Sequence, residues 1–431
     1  MKNVFSSMQW MFFILANIVV IPVSVGAAYG LPVADIATLL QRTFFVIGIT
    51  SLLQGLFGHK LPLNEGPAGL WWSLFLIFAG MVASGKQEAS IVLRSLELGI
   101  FIAGGIFLLL SVFRLINPIK KLFTPLVTGT YLVLLVSQLS GPFVKGILGV
   151  DYLSDRLDPK VAITAVIILI LTVILAKSRF KFLSSYSILI SLATGWILFA
   201  LLKITKPMNL EVHSFISVPK VFTWGTPTFD AGIVLTSIFT AFLLLTNLVA
   251  SAEVVSKVSE SKEPVNYPRS TFIMGINHLI SGAFSVIGAV PLGGAAGFIA
   301  TTRIKERLPF LIGSTAIMLM SFFPVLMAFL ASLPVPLGYA TIFLAISSLI
   351  GLGLNELRTA LQNPDAPAII SLSLMGGFGL MAVPEDALST LPELLVSLVN
   401  NGLIIGVIIA IVLEQIFRKR QAIQERRQTA P

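Results

Sequence analysis

Val290-Pro291-Leu292-Gly293-Gly294-Ala295-Ala296-Gly297-Phe298-Ile299 lies between two strongly apolar segments, and its proline and glycines argue against one continuous helix. At membrane depth, backbone that is not helical persists only when it is buried in protein or lines a wet cavity. The stretch is therefore either a turn between two ordinary spans or the kind of interrupted segment beside which transporters hold a solute.

Composition sets the class. Of 431 residues, 56% are hydrophobic and 11% charged, and the mean hydropathy is +0.94. Soluble domains carry roughly 25% charged residues, so the chain reads as an all-α, polytopic membrane protein whose main partner is the lipid bilayer. With no cysteine, disulfides, Cys-ligated zinc and thiol catalysis are excluded. The first apolar stretch, from Gln9, has no basic flank or small-residue cleavage site before it ends at Pro22 and Gly26, and reads as a retained span. A net charge of +9 fits the excess of Lys and Arg in cytoplasmic loops better than it fits a nucleic-acid partner.

A span needs about 20 mostly apolar residues. Fourteen candidates follow: 9–26, 37–57, 70–83, 93–113, 122–139, 161–176, 185–202, 232–255, 272–288, 297–302 with the glycine stretch before it, 308–333, 337–354, 366–383 and 394–417. An even number places both termini on one face. Arg114, Lys120, Lys121, Lys177, Arg179, Lys181, Lys257, Lys262, Arg269, Arg303, Lys305, Arg307 and Arg358 fall in loops on that face, with the tail Arg418-Lys419-Arg420 and Arg426-Arg427. Only Lys86, Arg94, Lys145, Arg156, Lys160, Lys203, Lys206 and Lys220 fall opposite, so both termini are expected in the cytoplasm.

Leu61-Pro62-Leu63-Asn64-Glu65-Gly66-Pro67-Ala68-Gly69-Leu70-Trp71 has the same cast as the opening stretch. The prolines are offset by 291 − 62 = 229, and two Asn residues deep in apolar runs, Asn17 and Asn247, by 247 − 17 = 230. Two halves of seven segments must be inverted relative to each other. This divides the chain into a first repeat (1–205), an external linker (206–230) with Pro207, Pro219 and Pro227, a second repeat (231–417) and a basic tail (418–431). Interrupted segments in corresponding positions of two halves point to a binding site.

These residues resemble the nucleobase–cation symporter family of uracil, xanthine and uric acid permeases, the nucleobase–ascorbate transporters. The resemblance runs over nearly the whole chain. It rests on Gln9-Trp10 with Pro22, Gly48-Ile49-Thr50-Ser51-Leu52-Leu53-Gln54, Leu61-Pro62 with Gly66, and Phe123-Thr124-Pro125-Leu126-Val127-Thr128-Gly129, followed by Leu391-Pro392-Glu393, Asn400-Asn401-Gly402 and Leu413-Glu414. It implies fourteen segments as two inverted sevens, with a core of spans 1–4 and 8–11 moving against a gate of spans 5–7 and 12–14. It also implies half-helices at spans 3 and 10, each preceded by a short extended strand, that meet at the substrate. A plasma-membrane location, a homodimer through the gate and coupling to a proton or sodium ion belong to the same expectation; no other cofactor does.

The chain departs from the family where the chemistry is. Gln-His in span 1 is Gln9-Trp10 here. The span 8 Glu aligns either with Asn247, central in its span, or with Glu253, whose distance of four residues from Lys257 also fits a surface pair. The Glu of span 10 has no counterpart between Leu292 and Gly297. An Asn amide offers both acceptor and donor to the edge of a base, so the expected substrate-binding residues are Asn17 and Asn247, with the backbone of Gly293, Gly294 and Ala295.

Coupling candidates are Glu65, at the start of the first half-helix, Glu253, and His278 in span 9. Glu65 reads equally as an interfacial charge beside His59 and Lys60, and His278 as a hydrogen-bonded packing residue. Trp71, Trp72 and Phe298 offer faces for a planar ring or for ordinary core packing. No phosphate-cradling loop, metal-ligand cluster or converging acid, base and nucleophile is present, so no catalytic residue or enzyme activity is assigned. The reading is secondary, proton-coupled transport of a purine, xanthine or uracil-type base by an elevator-like motion. The alternatives are the same fold carrying an anion or other small solute, an uncoupled facilitator, and a non-transporting membrane scaffold or sensor.

Overall fold

Prolines and side-chain caps decide where the helices start and stop. The computed structural model describes residues 2–429 apart from 84, 86, 116–123, 151, 155, 207–213, 385–386, 388–398 and 400–401. Lys86, Lys120, Lys121, Phe123, Pro207, Leu391-Pro392-Glu393 and Asn400-Asn401 thus lie outside the described residues, as do the first residues of the expected segments 122–139 and 394–417.

The first span is two helices, α1 (Lys2–Ile18) and α2 (Val20–Ala28), broken at Val19. Pro22 has no N–H to offer the Ile18 carbonyl, which opens the helix there. Then come α3 (Val33–Phe57), strand β1 (Glu65–Pro67), α4 (Gly69–Ala83) and α5 (Ala89–Val112). The Thr124 hydroxyl accepts from Val127 N–H and starts α6 (Pro125–Ile147); Asp158 does the same for α7 (Pro159–Ala176). Each has proline in its first turn, where a missing N–H costs nothing. A short α8 (Lys181–Ser185) leads into α9 (Ser187–Leu201).

The second half repeats the grammar. Asp230 caps α10 (Ala231–Val258), and Asn266 caps α11 (Tyr267–Ala283). Strand β2 (Ala289–Pro291) precedes α12 (Ala295–Thr302), followed by α13 (Arg307–Met320), α14 (Pro324–Ala331), α15 (Val335–Ala360), α16 (Ala366–Met381) and α17 (Gly402–Thr429). Every one of the fourteen expected segments has a helical counterpart. Among the described residues seven stretches, one of them α1 and α2 together, are long and apolar enough to cross a membrane, and α13 with α14 forms an eighth, bent by 90°. The bend corrects the reading of 308–333 as one run: Pro324 has no N–H for the Met320 carbonyl. The last helix, α17, continues into the basic tail as far as Thr429.

The two strands pair antiparallel, Glu65 opposite Pro291, Gly66 opposite Val290 and Pro67 opposite Ala289. Ala68 N–H donates to Gly288 O at 3.0 Å and Leu292 N–H to Asn64 O at 2.9 Å. These flanking bonds exchange under a two-fold through the Gly66–Val290 pair, which equates Pro67 with Pro291. The offset of the strands is therefore 291 − 67 = 224, and the alignment of Pro62 with Pro291 is corrected. A proline at the end of each strand costs no ladder bond, because the next residue supplies the donor.

Around the strands, α3 packs on α13 and α14, α1 on α13, and α5 on α10 and α11; separately, α6 packs on α15, α16 and α17, and α7 on α9 and α15. Residues 214–230 strap one face of the first set. Ser217 takes Gln41 Nε2 at 2.7 Å on its hydroxyl, Thr226 O takes Arg94 Nε at 2.8 Å, and Phe222 N–H reaches Ala283 O at 2.8 Å. On the opposite face, Arg269 Nε donates to Gly58 O at 3.0 Å, Arg307 to Gly55 O at 3.3 Å, and Lys305 pairs with Glu260.

Candidate functional site

The strand pair separates two polar regions. Behind it, Glu65 is wholly buried. Its N–H donates to Ser51 Oγ at 2.9 Å, and its carboxyl faces the amide of Asn277, although neither oxygen makes a hydrogen bond of good geometry. Asn277 O accepts from Ser281 Oγ at 2.8 Å, and that hydroxyl accepts from Ala289 N–H at 3.3 Å. Since α4 begins only at Gly69, Glu65 lies on a strand, and the expectation that it starts the half-helix and meets the N–H groups there is corrected. It is equally not an interfacial charge.

His278, also wholly buried, stands in the same interior: Trp71 Nε1 donates to its Nε2 at 3.1 Å, and its Nδ1 contacts Met274 O at 3.0 Å. Trp71 and Trp72 are core residues, Trp72 stacking on Tyr339 at 6.1 Å.

In front of the pair, Asn247 Nδ2 donates to Pro291 O at 3.0 Å, and Ser251 Oγ donates to the same carbonyl at 3.2 Å. A proline that ends a strand leaves its carbonyl without a ladder partner, and two side chains of α10 fill that need. A Cβ on Gly293 would lie 3.2 Å from Ser251 Oγ, so α10 and the strand–helix junction are in close contact. Glu253 is exposed, near Tyr267; no ion pair joins it to Lys257 among the described residues, so the expected surface pair is corrected to an exposed, solvated carboxylate.

A cavity of about 230 Å³ opens beside this junction. Asn17, Phe13, Gly294 and Phe298 form one wall, and Tyr186 with Ser187, from the start of α9, the other. It lies where α1 and α12 meet α8 and α9. Asn17 Nδ2 donates to Phe13 O at 2.7 Å, leaving Oδ1 as its acceptor. Phe13 and Phe298 stack with centroids 4.6 Å apart, and the buried Trp10 packs on Phe298 and Phe310. Of the expected binding residues the cavity thus collects Asn17 and Gly294; Asn247, Gly293 and Ala295 build the junction behind it, and Glu65, Glu253 and His278 do not line it. Rings that stack, an amide acceptor and a tyrosine suit a flat, polar-edged solute. Among the described residues there is no cluster of His, Asp and Glu able to hold a metal ion.

Two charged residues were missed. Arg42 donates to Phe284 O at 3.0 Å, Ser285 O at 2.9 Å and the Thr223 hydroxyl of the strap. Glu97, wholly buried nearby, accepts from Ser285 Oγ at 3.0 Å. The signal was present: an ionisable residue inside an apolar run is rarely there without a partner.

A family model described as a permease family matches residues 1–386. The chain is 40% identical over 431 residues to "Putative purine permease YwdJ" of Bacillus subtilis (strain 168), covering 98% of each. It is 26% identical over 425 residues to the uric acid permease PucJ of the same organism, covering 96% of this chain and 92% of PucJ. It is 24% identical over 439 residues to the xanthine permease XanP of Escherichia coli (strain K12), covering 96% and 92%. Among solved structures, the transmembrane domain of the cyanobacterium bicarbonate transporter BicA superposes with a TM-score of 0.60 at 14% identity, covering 95% of this chain and 96% of that one. SLC26A9 superposes at 0.65 and 14% identity, covering 96% of this chain and 65% of that one. At these identities the structural likeness speaks for a shared fold alone.

Proposed function

Because this chain belongs to the nucleobase–ascorbate transporter family of permeases, we propose that it carries an oxopurine base, xanthine or urate in type, across the plasma membrane by secondary active transport. It is a multi-pass membrane permease and not an enzyme. The observation that carries the substrate reading is the cavity between the strand-bearing helices and α9, walled by Asn17, Phe13, Phe298 and Tyr186.

In this reading the helices that hold the strand pair form a core that slides against a gate of α6–α9 and α15–α17, exposing the cavity to each face in turn. Asn17 takes an N–H of the base on Oδ1, the stacked Phe13–Phe298 pair bounds one side of it and Tyr186 the other, and Asn247 with Ser251 holds the α12 junction in place. The buried Glu65 is the proposed proton carrier, acting through the strand and not by touching the base. Arg269, Lys305 and Arg307 gather on one face, which supports a cytoplasmic N-terminus.

Uptake of labelled xanthine, urate, guanine and uracil into cells lacking their own carriers tests the proposal. Saturable uptake of at least one base, competed by the others, is expected. No saturable uptake of any of them, or competition by inorganic anions in place of bases, overturns it.

A further inference from the structure

The start of α9 reaches the cavity with its hydrogen-bond donors unspent. The first turn of a helix leaves N–H groups without an intrahelical acceptor. In α9 the cap residue, Tyr186, makes no side-chain bond to them. Among the described residues the N–H groups of Ser187, Ile188 and Leu189 have no backbone acceptor; Ile190 N–H, bonded to Tyr186 O at 2.8 Å, is the first that does. Ser187, Ile188 and Leu189 all line the cavity. The half-helix α12 on the other wall differs. Its Ala295 N–H donates to Leu292 O at 3.1 Å, Ala296 N–H to Gly293 O at 3.0 Å and Phe298 N–H to Gly294 O at 3.3 Å, so its first turn is largely spent.

Two hydroxyls belong to the same wall. Tyr186 is 9% exposed and Ser187 7%; both line the cavity, and neither hydroxyl has a hydrogen-bond partner among the described residues. A buried hydroxyl without a partner costs free energy, which a solute in the cavity would return. Ser184, also in the lining, already gives its hydroxyl proton to Ala176 O at 2.8 Å. Donors thus gather on the α9 wall, while Asn17 offers an acceptor, Oδ1, from α1.

We propose that the start of α9 is a carbonyl-binding subsite. The N–H groups of Ser187, Ile188 and Leu189, with the hydroxyls of Tyr186 and Ser187, receive an exocyclic oxygen of the base, and Asn17 Oδ1 receives a ring N–H from the other side. The inference rests on the transport reading above and names the group by which that site tells an oxopurine from an aminopurine. The positive end of the helix dipole favours a partly or fully negative oxygen there. Backbone N–H groups can only donate, so an exocyclic amino group in this place sets donors against donors. Because α9 belongs to the gate and Asn17 to the core, a base held at both edges spans the two helix sets.

Calorimetric titration of the purified protein with xanthine, 2-thioxanthine, 6-thioxanthine and adenine tests the subsite. Sulfur in place of oxygen keeps the outline and the ring N–H groups but accepts a hydrogen bond more weakly. Xanthine should bind roughly 10-fold tighter than one of the two thioxanthines, and tighter than adenine by at least that factor. Tyr186→Phe/Ser187→Ala should weaken xanthine roughly 5- to 10-fold and leave that thioxanthine nearly unchanged, whereas Ser187→Thr, which keeps the hydroxyl, should behave as the unmodified protein. A merely structural role would weaken every ligand alike; that result, or an unchanged xanthine affinity, overturns the inference. The unmodified protein tests it even where the double variant fails to fold: equal affinity for xanthine and both thioxanthines, or for xanthine and adenine, overturns the inference and leaves the transport reading standing. Binding of none of the four overturns the oxopurine reading with it.

Discussion

Trp71 donates its indole N–H to His278 Nε2 at 3.1 Å, and that bond decides the state of the histidine. If Nε2 accepts, the proton is on Nδ1, which then donates to Met274 O at 3.0 Å. Both ring nitrogens are used, and the ring is neutral. His278→Gln should therefore leave the pH profile of uptake where it is. His278→Phe should lower stability by about 1–3 kcal/mol, because the buried Trp71 N–H loses its acceptor. Thermal unfolding in detergent and uptake across pH 5–8 check the pair; a moved pH optimum in the Gln variant would return His278 to the list of proton carriers.

The same bond depends on the absence of a side chain at Gly288. A Cβ there would come within 2.5 Å of Trp71 Nε1 and 3.1 Å of His278 Nε2, beside the carbonyl that accepts from Ala68. Gly288→Ala should cost about 1–3 kcal/mol by overpacking. Because the displaced atoms adjoin the strand pair, uptake should fall with it. Full activity at wild-type stability would mean that the pair yields more easily than its burial implies.

Asn247 donates to the carbonyl of Pro291, a task the amide performs and a carboxylate cannot. Asn247→Asp should make uptake depend on pH: an aspartic acid donates to Pro291 O when protonated, while an aspartate repels it. Activity is then retained at low pH and lost as pH rises. Asn247→Ala should be milder, since Ser251 still serves the carbonyl, and the double Asn247→Ala/Ser251→Ala more severe, by about 1–3 kcal/mol. A pH-independent Asp variant would show that the bond to Pro291 does not limit transport.

The spans were legible because hydropathy and proline are local signals, and the strand–half-helix unit because Pro291 and the glycines cannot continue a helix. Gly48-x-x-Ser51-x-x-Gln54 belongs to a motif noticed only as a resemblance. In the structure Gly48 lets α3 meet the backbone of Met318, Ser51 holds Glu65 N–H, and Gln54 ties Ser270 to His59. What stayed hidden is what pairing decides. Matching prolines by appearance chose Pro62, whereas the strand register chose Pro67. Asn17 and Gly294 share a cavity with Tyr186, a residue 169 positions from Asn17 (186 − 17) with no motif of its own. Arg42 and Glu97 were absorbed into apolar runs because their common partner, Ser285, lies in a turn outside both helices.

Glu65 is buried with neither carboxyl oxygen in a well-formed hydrogen bond, facing Asn277 across the back of the strands. Glu65→Gln keeps the shape and removes the ability to exchange a proton. Accumulation driven by an imposed pH gradient should be lost, while exchange of labelled for unlabelled base across the same liposomes persists. Glu253→Gln, at an exposed position, should alter neither. Gradient-driven accumulation that survives Glu65→Gln would move coupling to another group, of which Glu97 is the remaining wholly buried carboxylate among the described residues.

Arg42 and Glu97 are joined through one residue. Ser285 gives its carbonyl to the guanidinium at 2.9 Å and its hydroxyl to the carboxylate at 3.0 Å, and does so in the left-handed region at φ 50°. A non-glycine residue is held there only when its surroundings over-determine it. Arg42 further binds the strap at Thr223, so one cation fixes the turn between α11 and β2 and the loop above it. Arg42→Met takes from Glu97 the larger of its two opposing charges, Arg94 supplying the other, and should cost about 3–5 kcal/mol, whereas Arg42→Met/Glu97→Met, at similar volume, should recover most of that loss. The strap supplies the independent readout: proteolysis between 214 and 230 should accelerate in the single variant and return toward wild type in the double. Two variants that unfold at the same temperature would mean that the carboxylate needs Ser285 and not the arginine.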